Sequence, residues 1–219
     1  MSNRYPYKTL IVGASGRGKT YSFKNMKRDS TYFINVENKP LPFKGSFKYN
    51  VVPNDSTSVL NLIKTGNSLA ETDCIVVDSF SAFTDMLMAE SRKTYKGWDI
   101  MNKYNEGIAT FNKYVKNCKK EVFVTAHYEV IADEMSGSRE RRVKTKGKEW
   151  EGMIEKDYTI VLYADSKIVE GSPRPEHFFS LVNDGSTSAK ITPDIFGEDI
   201  AQIPNDSAEV LRKIVEFSS

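Results

Sequence analysis

Residues Gly13 to Thr20 read Gly-Ala-Ser-Gly-Arg-Gly-Lys-Thr, which sets two glycines, a lysine and a threonine at the spacing G-x-x-x-x-G-K-[ST]. Each answers a separate demand of a bound polyphosphate. The glycines let backbone N–H groups turn inward around an anion, and a helix N-terminus behind them adds positive dipole. Lys19 brings a mobile cation to the β- and γ-phosphates, and the Thr20 hydroxyl is suited to Mg²⁺. The expected cradle for ATP or a similar nucleotide is therefore Gly13, Ala14, Ser15, Gly16, Arg17, Gly18, Lys19, Thr20 and Tyr21. Such a site also needs an acid at the end of a neighbouring buried strand to help orient the metal. Asp78, closing the apolar run Cys74-Ile-Val-Val, has that form, although an aspartate there also fits a turn or a cap.

Ser79 follows Asp78, so a carboxylate that activates water must come from another strand. Glu37 closes the β-branched and aromatic run Thr31 to Val36 and lies at the same sheet edge as the phosphate loop if the strands are parallel. The same residue also reads as a solvated loop acid. Further on, Arg139, Arg141, Arg142, Lys144, Lys146 and Lys148 crowd one short stretch whose only acid is Glu140. Phosphate neutralisation by such a cluster gives sequence-independent, salt-sensitive binding to nucleic acid. A solvated charged hairpin is the plainer reading. Gly137, Ser138 and Gly147 predict that about residues 134–149 form a mobile loop.

The elements that must position these residues alternate. Thr9 to Val12 reads as a strand, Lys19 to about Met26 as a helix, and Thr31 to Val36 and Phe47 to Val52 as strands. A helix begins at Asp55 and runs through Val59, Leu60 and Ile63. From Ala82 to Lys120 the pattern is helical, with Gly97 as an interruption and Met101, Tyr104, Ile108, Phe111 and Val115 drawing one apolar stripe. Glu121 to Ala126 and Thr159 to Ala164 are strands, the C-terminal third is strand-rich around Phe178 to Val182, and Asp206 to Phe217 is an amphipathic helix with Asp206 and Glu209 spaced as a capping box. Continuous apolar runs suit buried parallel strands, so the expectation is one α/β domain over residues 1–219.

Composition narrows the partners. A chain of 219 residues with 39% hydrophobic content can bury a core, and a formal net charge of +2 exerts no global pull on nucleic acid or membrane. Only a local patch can do that. Cys74 and Cys118 have neither metal-ligand nor disulfide spacing and read as reduced, structural thiols. The start of the chain lacks a signal-peptide pattern and no run approaches a membrane span, so an intracellular protein is expected. Phe80, Phe83, Trp98, Tyr104, Phe111 and Tyr114 read as core or subunit-contact aromatics, His177 as structural, and Trp150 as a ring beside the basic stretch.

Phe33-Ile-Asn-Val-Glu-Asn resembles the second core strand of RecA-like recombinase ATPases, and Ile75-Val-Val-Asp-Ser-Phe resembles their metal-binding strand. Val122-Phe-Val-Thr-Ala-His127 is similar to the strand that follows, and the compact chain is similar to short bacteriophage ATPases of single-strand annealing and recombination. The resemblance spans about residues 7–165 and implies a RecA-like P-loop NTPase fold: a mostly parallel central sheet flanked by helices, with a strand-rich C-terminal part. It implies Glu37 as catalytic base beside Lys19, and His127 as a γ-phosphate sensor, where a lone strand-end histidine otherwise reads as structural. It further implies ATP and Mg²⁺ as cofactors, and single-stranded DNA contacts at Arg139, Arg141, Arg142, Lys144 and Lys146. Lys146 or Lys148 would reach a neighbouring subunit's γ-phosphate in a homo-oligomeric ring or filament. A single-strand binding protein or other replication and recombination proteins are implied partners, without a membrane, in the cytoplasm of a bacterial host. Two other readings stay open: a nucleotide or small-molecule kinase with a basic lid, and a non-catalytic, ATP-gated DNA-binding or loader module.

Overall fold

The computed structural model describes residues 5–132, 137 and 139–218. Lys8–Val12 (β1), Thr31–Asn35 (β2), Tyr49–Val51 (β3), Cys74–Asp78 (β4), Glu121–Ala126 (β5) and Ile160–Lys167 (β8) form the parallel part of one sheet. Glu176–Ser180 (β9) and Gln202–Pro204 (β10) extend it antiparallel, giving the order β10-β9-β8-β1-β5-β4-β2-β3. This is the mostly parallel, helix-flanked sheet of the RecA-like P-loop NTPase fold. From β1 the chain crosses over β5 and β4 to lay down β2, then fills the gap and finally adds β8 on the other side of β1. Such a reversal beside β1 opens a crevice at the carboxyl ends of the strands, where ligands of α/β sheets bind.

Both faces of the sheet are covered, and strand alternation divides the core in two. Leu10 and Val12, Tyr32 and Ile34, Ile75 and Val77, and Val122 and Val124 face the helices Ser56–Ser68 (α1), Phe80–Thr94 (α2) and Trp98–Asn117 (α3). Ile11, Phe33, Val76, Phe123 and Leu162 face the other way, against Phe23, the short helix Pro193–Phe196 (α4) and the C-terminal helix Ser207–Phe217 (α5). On the first face Phe80, Phe83 and Phe111 pack with ring centroids 4.8 to 6.2 Å apart. The expected stripe on α3 is buried at Tyr104, Ile108, Phe111 and Val115, whereas Trp98 is 86% exposed and belongs to no core. Trp150 and Tyr114 pack half-buried against the core on this first face. Both cysteines are free and buried.

Local chemistry sets the helix ends. Gly97 breaks the helical stretch at φ 57°, a conformation that costs a residue with a Cβ. Asp55 caps α1 by accepting from the Ser58 N–H at 2.6 Å, and Ser58 returns the bond to the Asp55 backbone. At α5 the expected box does not form: Asp206 accepts from the Ala208 N–H at 3.0 Å, while Glu209 is drawn to the Arg212 guanidinium at 2.8 Å. A charged partner one turn ahead outcompetes a backbone N–H. The helix after the phosphate loop is a 3-10 helix, Thr20–Asn25, rather than a longer α-helix.

The largest departure from expectation lies at the basic stretch. Tyr128–Ala132 (β6) pairs antiparallel with Arg139–Val143 (β7), so five residues of the expected loop form the second strand of a hairpin. Residues 134–136 and Ser138 lie outside the described residues. The Glu155 carboxylate, buried at the base of the hairpin, accepts from the Val143 N–H at 2.8 Å, which supplies the order that the sequence of charges did not show. No helix among the described residues is long and apolar enough to cross a membrane.

Candidate active site

Gly13 follows β1 directly, and its N–H bonds to the Ala126 carbonyl at the end of β5, 3.1 Å away. A Cβ there would stand 2.8 Å from the Ala164 carbonyl oxygen, so the loop can leave the sheet at this point only without a side chain. Gly18 has φ 85° and lies against Asn205 and His177, where a Cβ would come within 2.2 Å of the Asn205 amide nitrogen. The loop is thus backed by the C-terminal third of the chain. Asn205 Nδ2 donates to the Gly18 carbonyl at 3.1 Å.

Lys19 is buried, and its ammonium donates to the carbonyls of Gly13 and Ala14 at 2.7 and 3.0 Å. Burial pushes its pKa down to about 8, against the opposing pull of Asp78 and Glu37. Its Nζ also lies 3.3 Å from His127 Nδ1. Burial and the Lys19 charge lower the pKa of that imidazole, so it is neutral at physiological pH.

The Thr20 hydroxyl donates to Asp78 Oδ2 at 2.8 Å, and the Thr125 hydroxyl from β5 donates to Asp78 Oδ1. Burial raises the Asp78 pKa, and these two hydroxyls oppose the rise. Next along the chain, across a cis peptide bond, the Ser79 hydroxyl donates to Glu37 Oε1 at 3.1 Å and accepts from the Ala82 N–H at 3.2 Å. Burial raises the Glu37 carboxyl, but the Lys39 ammonium at 2.5 Å, Ser79 and His127 outweigh it and hold the pKa below the ordinary carboxylate range. Glu37 Oε1 is 4.0 Å from His127 Nε2. The parallel register of β2, β4, β5 and β1 therefore brings Glu37, Asp78, His127 and the phosphate loop to one edge.

Among the described residues no three His, Cys, Asp or Glu side chains gather to hold a metal on protein ligands alone. One hydroxyl and one carboxylate, Thr20 and Asp78, fit the Mg²⁺ pattern, in which phosphate and water oxygens complete the shell. Ser15, Gly16 and Tyr21 are exposed at the rim. Arg17 turns away from the loop toward Ser166 and Asp165.

The basic residues divide. Arg141 pairs with Asp165 at 3.2 Å, Arg142 with Glu140 at 2.7 Å, and Lys146 with Asp85 at 2.8 Å. Arg139, Lys144 and Lys148 are exposed and have no ion pair among the described residues. Lys144 is nonetheless tied to the site, because its N–H donates to the His127 carbonyl at 2.9 Å. Sequence reasoning missed Thr125, Lys39, Asn205 and Asp165, and read His177 as structural, without its place behind Gly18. Thr125 stood one residue inside a strand end already singled out; the others had no local signal.

The loop, the buried acid and the strand order define a P-loop NTPase. Residues 5–192 match the AAA domain family, and the chain belongs to that family of P-loop ATPases. The fold is also similar to a solved KaiC-like protein, PH0186, from the hyperthermophilic archaeon Pyrococcus horikoshii OT3, with 13% identity, a TM-score of 0.49, and coverage of 80% of this chain and 77% of that one. No curated protein matches the sequence.

Proposed function

We propose that the chain is a Mg²⁺-dependent ATPase of the RecA-like class that acts on single-stranded DNA. The observation that carries the hydrolytic part is the position of Glu37, held by Ser79 at 3.1 Å and facing His127 at 4.0 Å, at the edge where Lys19, Thr20 and Asp78 meet. Held below its ordinary pKa, the Glu37 carboxylate is ionised at neutral pH and orients a water for in-line attack on the γ-phosphate. Lys19 exchanges the Gly13 and Ala14 carbonyls for phosphate oxygens, which match its charge better. Loop N–H groups beyond Gly13, whose own N–H is held by the Ala126 carbonyl, hold the remaining phosphate oxygens. Thr20 and Asp78 would hold Mg²⁺, which would supply neutralisation of phosphate charge. Neutral His127 reads the γ-phosphate with its ring, while its carbonyl holds the hairpin through Lys144.

The hairpin supports the DNA part of the reading. Arg139, Lys144 and Lys148 offer outward charge to a phosphate backbone, with Arg141, Arg142 and Lys146 behind them. In a ring or filament, Lys148 suits a role at the neighbouring γ-phosphate better than Lys146, which Asp85 already engages. A phage recombination or annealing setting, with a single-strand binding protein nearby, follows from the resemblance alone. The deciding measurement is the ATPase rate with and without single-stranded DNA, with a nucleoside monophosphate offered as acceptor in parallel. DNA-stimulated phosphate release is expected; phosphoryl transfer to the acceptor without DNA stimulation sinks the reading in favour of a kinase.

A further inference from the structure

One carboxylate stands between the phosphate loop and the hairpin. Asp165, on β8, turns Oδ1 toward the Arg17 guanidinium at 3.4 Å and Oδ2 toward the Arg141 guanidinium at 3.2 Å. Arg17 belongs to the loop itself and is further held by the hydroxyl and carbonyl of Ser166. Arg141 belongs to β7, is partly exposed, and has several partners. Its guanidinium lies over the rings of Tyr128 and Tyr163 at 5.6 and 5.3 Å, its carbonyl accepts from the Tyr163 hydroxyl at 2.7 Å, and its N–H donates to the Ser186 carbonyl at 2.8 Å. The other engaged cations of the stretch, Arg142 and Lys146, pair with acids that do not touch the loop.

We propose that Asp165 is a positioning residue that couples nucleotide occupancy of the phosphate loop to the β6–β7 hairpin, by sharing one negative charge between Arg17 and Arg141. A polyphosphate in the loop attracts Arg17 and takes up part of its charge. Asp165 is then held less by Arg17 and pairs more fully with Arg141, so the hairpin tightens against β8. The reverse transfer follows from linkage. An anion that draws Arg141 outward returns Asp165 to Arg17 and withdraws that guanidinium from the nucleotide. Both pairs are partly open to water, with side-chain exposures of 43% for Arg17, 30% for Asp165 and 25% for Arg141. The coupling is therefore at the low end of such effects, about fivefold, and fades with salt. The DNA consequence rests on the function proposed above; the coupling to the hairpin does not.

Hydrogen exchange of the full chain, with and without Mg²⁺ and the slowly hydrolysed analogue ATPγS, tests it. Amides of Arg139–Val143 should exchange about fivefold more slowly with nucleotide, and less so at high salt. Asp165→Asn should bind ATPγS and lose that change, and Asp165→Glu should restore it. Unchanged exchange of the hairpin in the natural protein, or the same protection in Asp165→Asn, overturns the proposal, and the first of these needs no variant to fold. In parallel, Asp165→Asn with ATPγS should bind a single-stranded oligonucleotide about fivefold more tightly than the natural protein does. A natural protein that binds no oligonucleotide while its hairpin still responds to ATPγS defeats the DNA function and supports the coupling.

Discussion

Lys19 and Lys144 both touch His127, the first at its ring and the second at its backbone carbonyl, and they live in opposite surroundings. Lys19 is buried among loop carbonyls and two carboxylates, and burial moves its titration to about pH 8. Lys144 is exposed on a hairpin whose inner cations are answered by Asp165, Glu140 and Asp85. The contrast separates two uses of positive charge. A desolvated ammonium makes short, directed bonds to one anion, whereas exposed charges make many weak, screened ones. One histidine at the end of β5 joins them.

The sharpest way to break this comparison is to disable the buried side alone. Glu37→Gln should lower ATP turnover by about a thousandfold while nucleotide affinity stays near its natural value, as judged by binding of a fluorescent ATP analogue. If turnover survives, Glu37 is a loop acid and the two regions are not divided into chemistry and contact. Thr125→Val comes next. It removes a buried donor from the Asp78 carboxylate and should cost about 1–3 kcal/mol in a denaturant titration, since Asp78 then stays buried with one oxygen unanswered. A change within experimental error would mean that water enters the site freely.

On the exposed side, the three cations without an ion pair among the described residues, Arg139, Lys144 and Lys148, should give single-stranded DNA binding a logarithmic salt slope of about −2, or about twentyfold weaker binding between 50 and 200 mM salt. A slope near zero removes the hairpin as a phosphate contact. The smallest effect distinguishes the two regions by pH. The folded-state pKa of Lys19 is depressed, so the ammonium that ATP needs is lost as pH rises through about 8. Affinity should fall about tenfold between pH 7 and 9, and binding above pH 8 should take up a proton, detected by calorimetry in buffers of different ionisation enthalpy. A flat profile would place Lys19 in water.

Much of the fold was legible because apolar runs and their punctuation are local. Val12 into Gly13, Asp78 at the close of an apolar run, and Gly97 as the break in a helical stretch each announced an element within a few residues. The basic stretch left a mobile loop and a charged hairpin both open for the complementary reason. Charged residues carry little strand signal of their own, and β7 is a strand through its pairing with β6 and the Glu155 bond at Val143. The α5 box failed because spacing identifies a possible partner for Glu209 and not the nearer one, Arg212.

The sequence by itself determined the phosphate loop. Eight contiguous residues specify a backbone curve, a cation and a hydroxyl, and nothing distant is needed to bring them together. Tertiary structure alone decided what surrounds that loop. Parallel register carried Glu37, Thr125 and His127 to one edge, and the added strands β8, β9 and β10 brought Asp165, His177 and Asn205 against Arg17 and Gly18. Contacts of that kind depend on how strands far apart in the chain align, and a one-residue slip in register would turn each side chain to the other face.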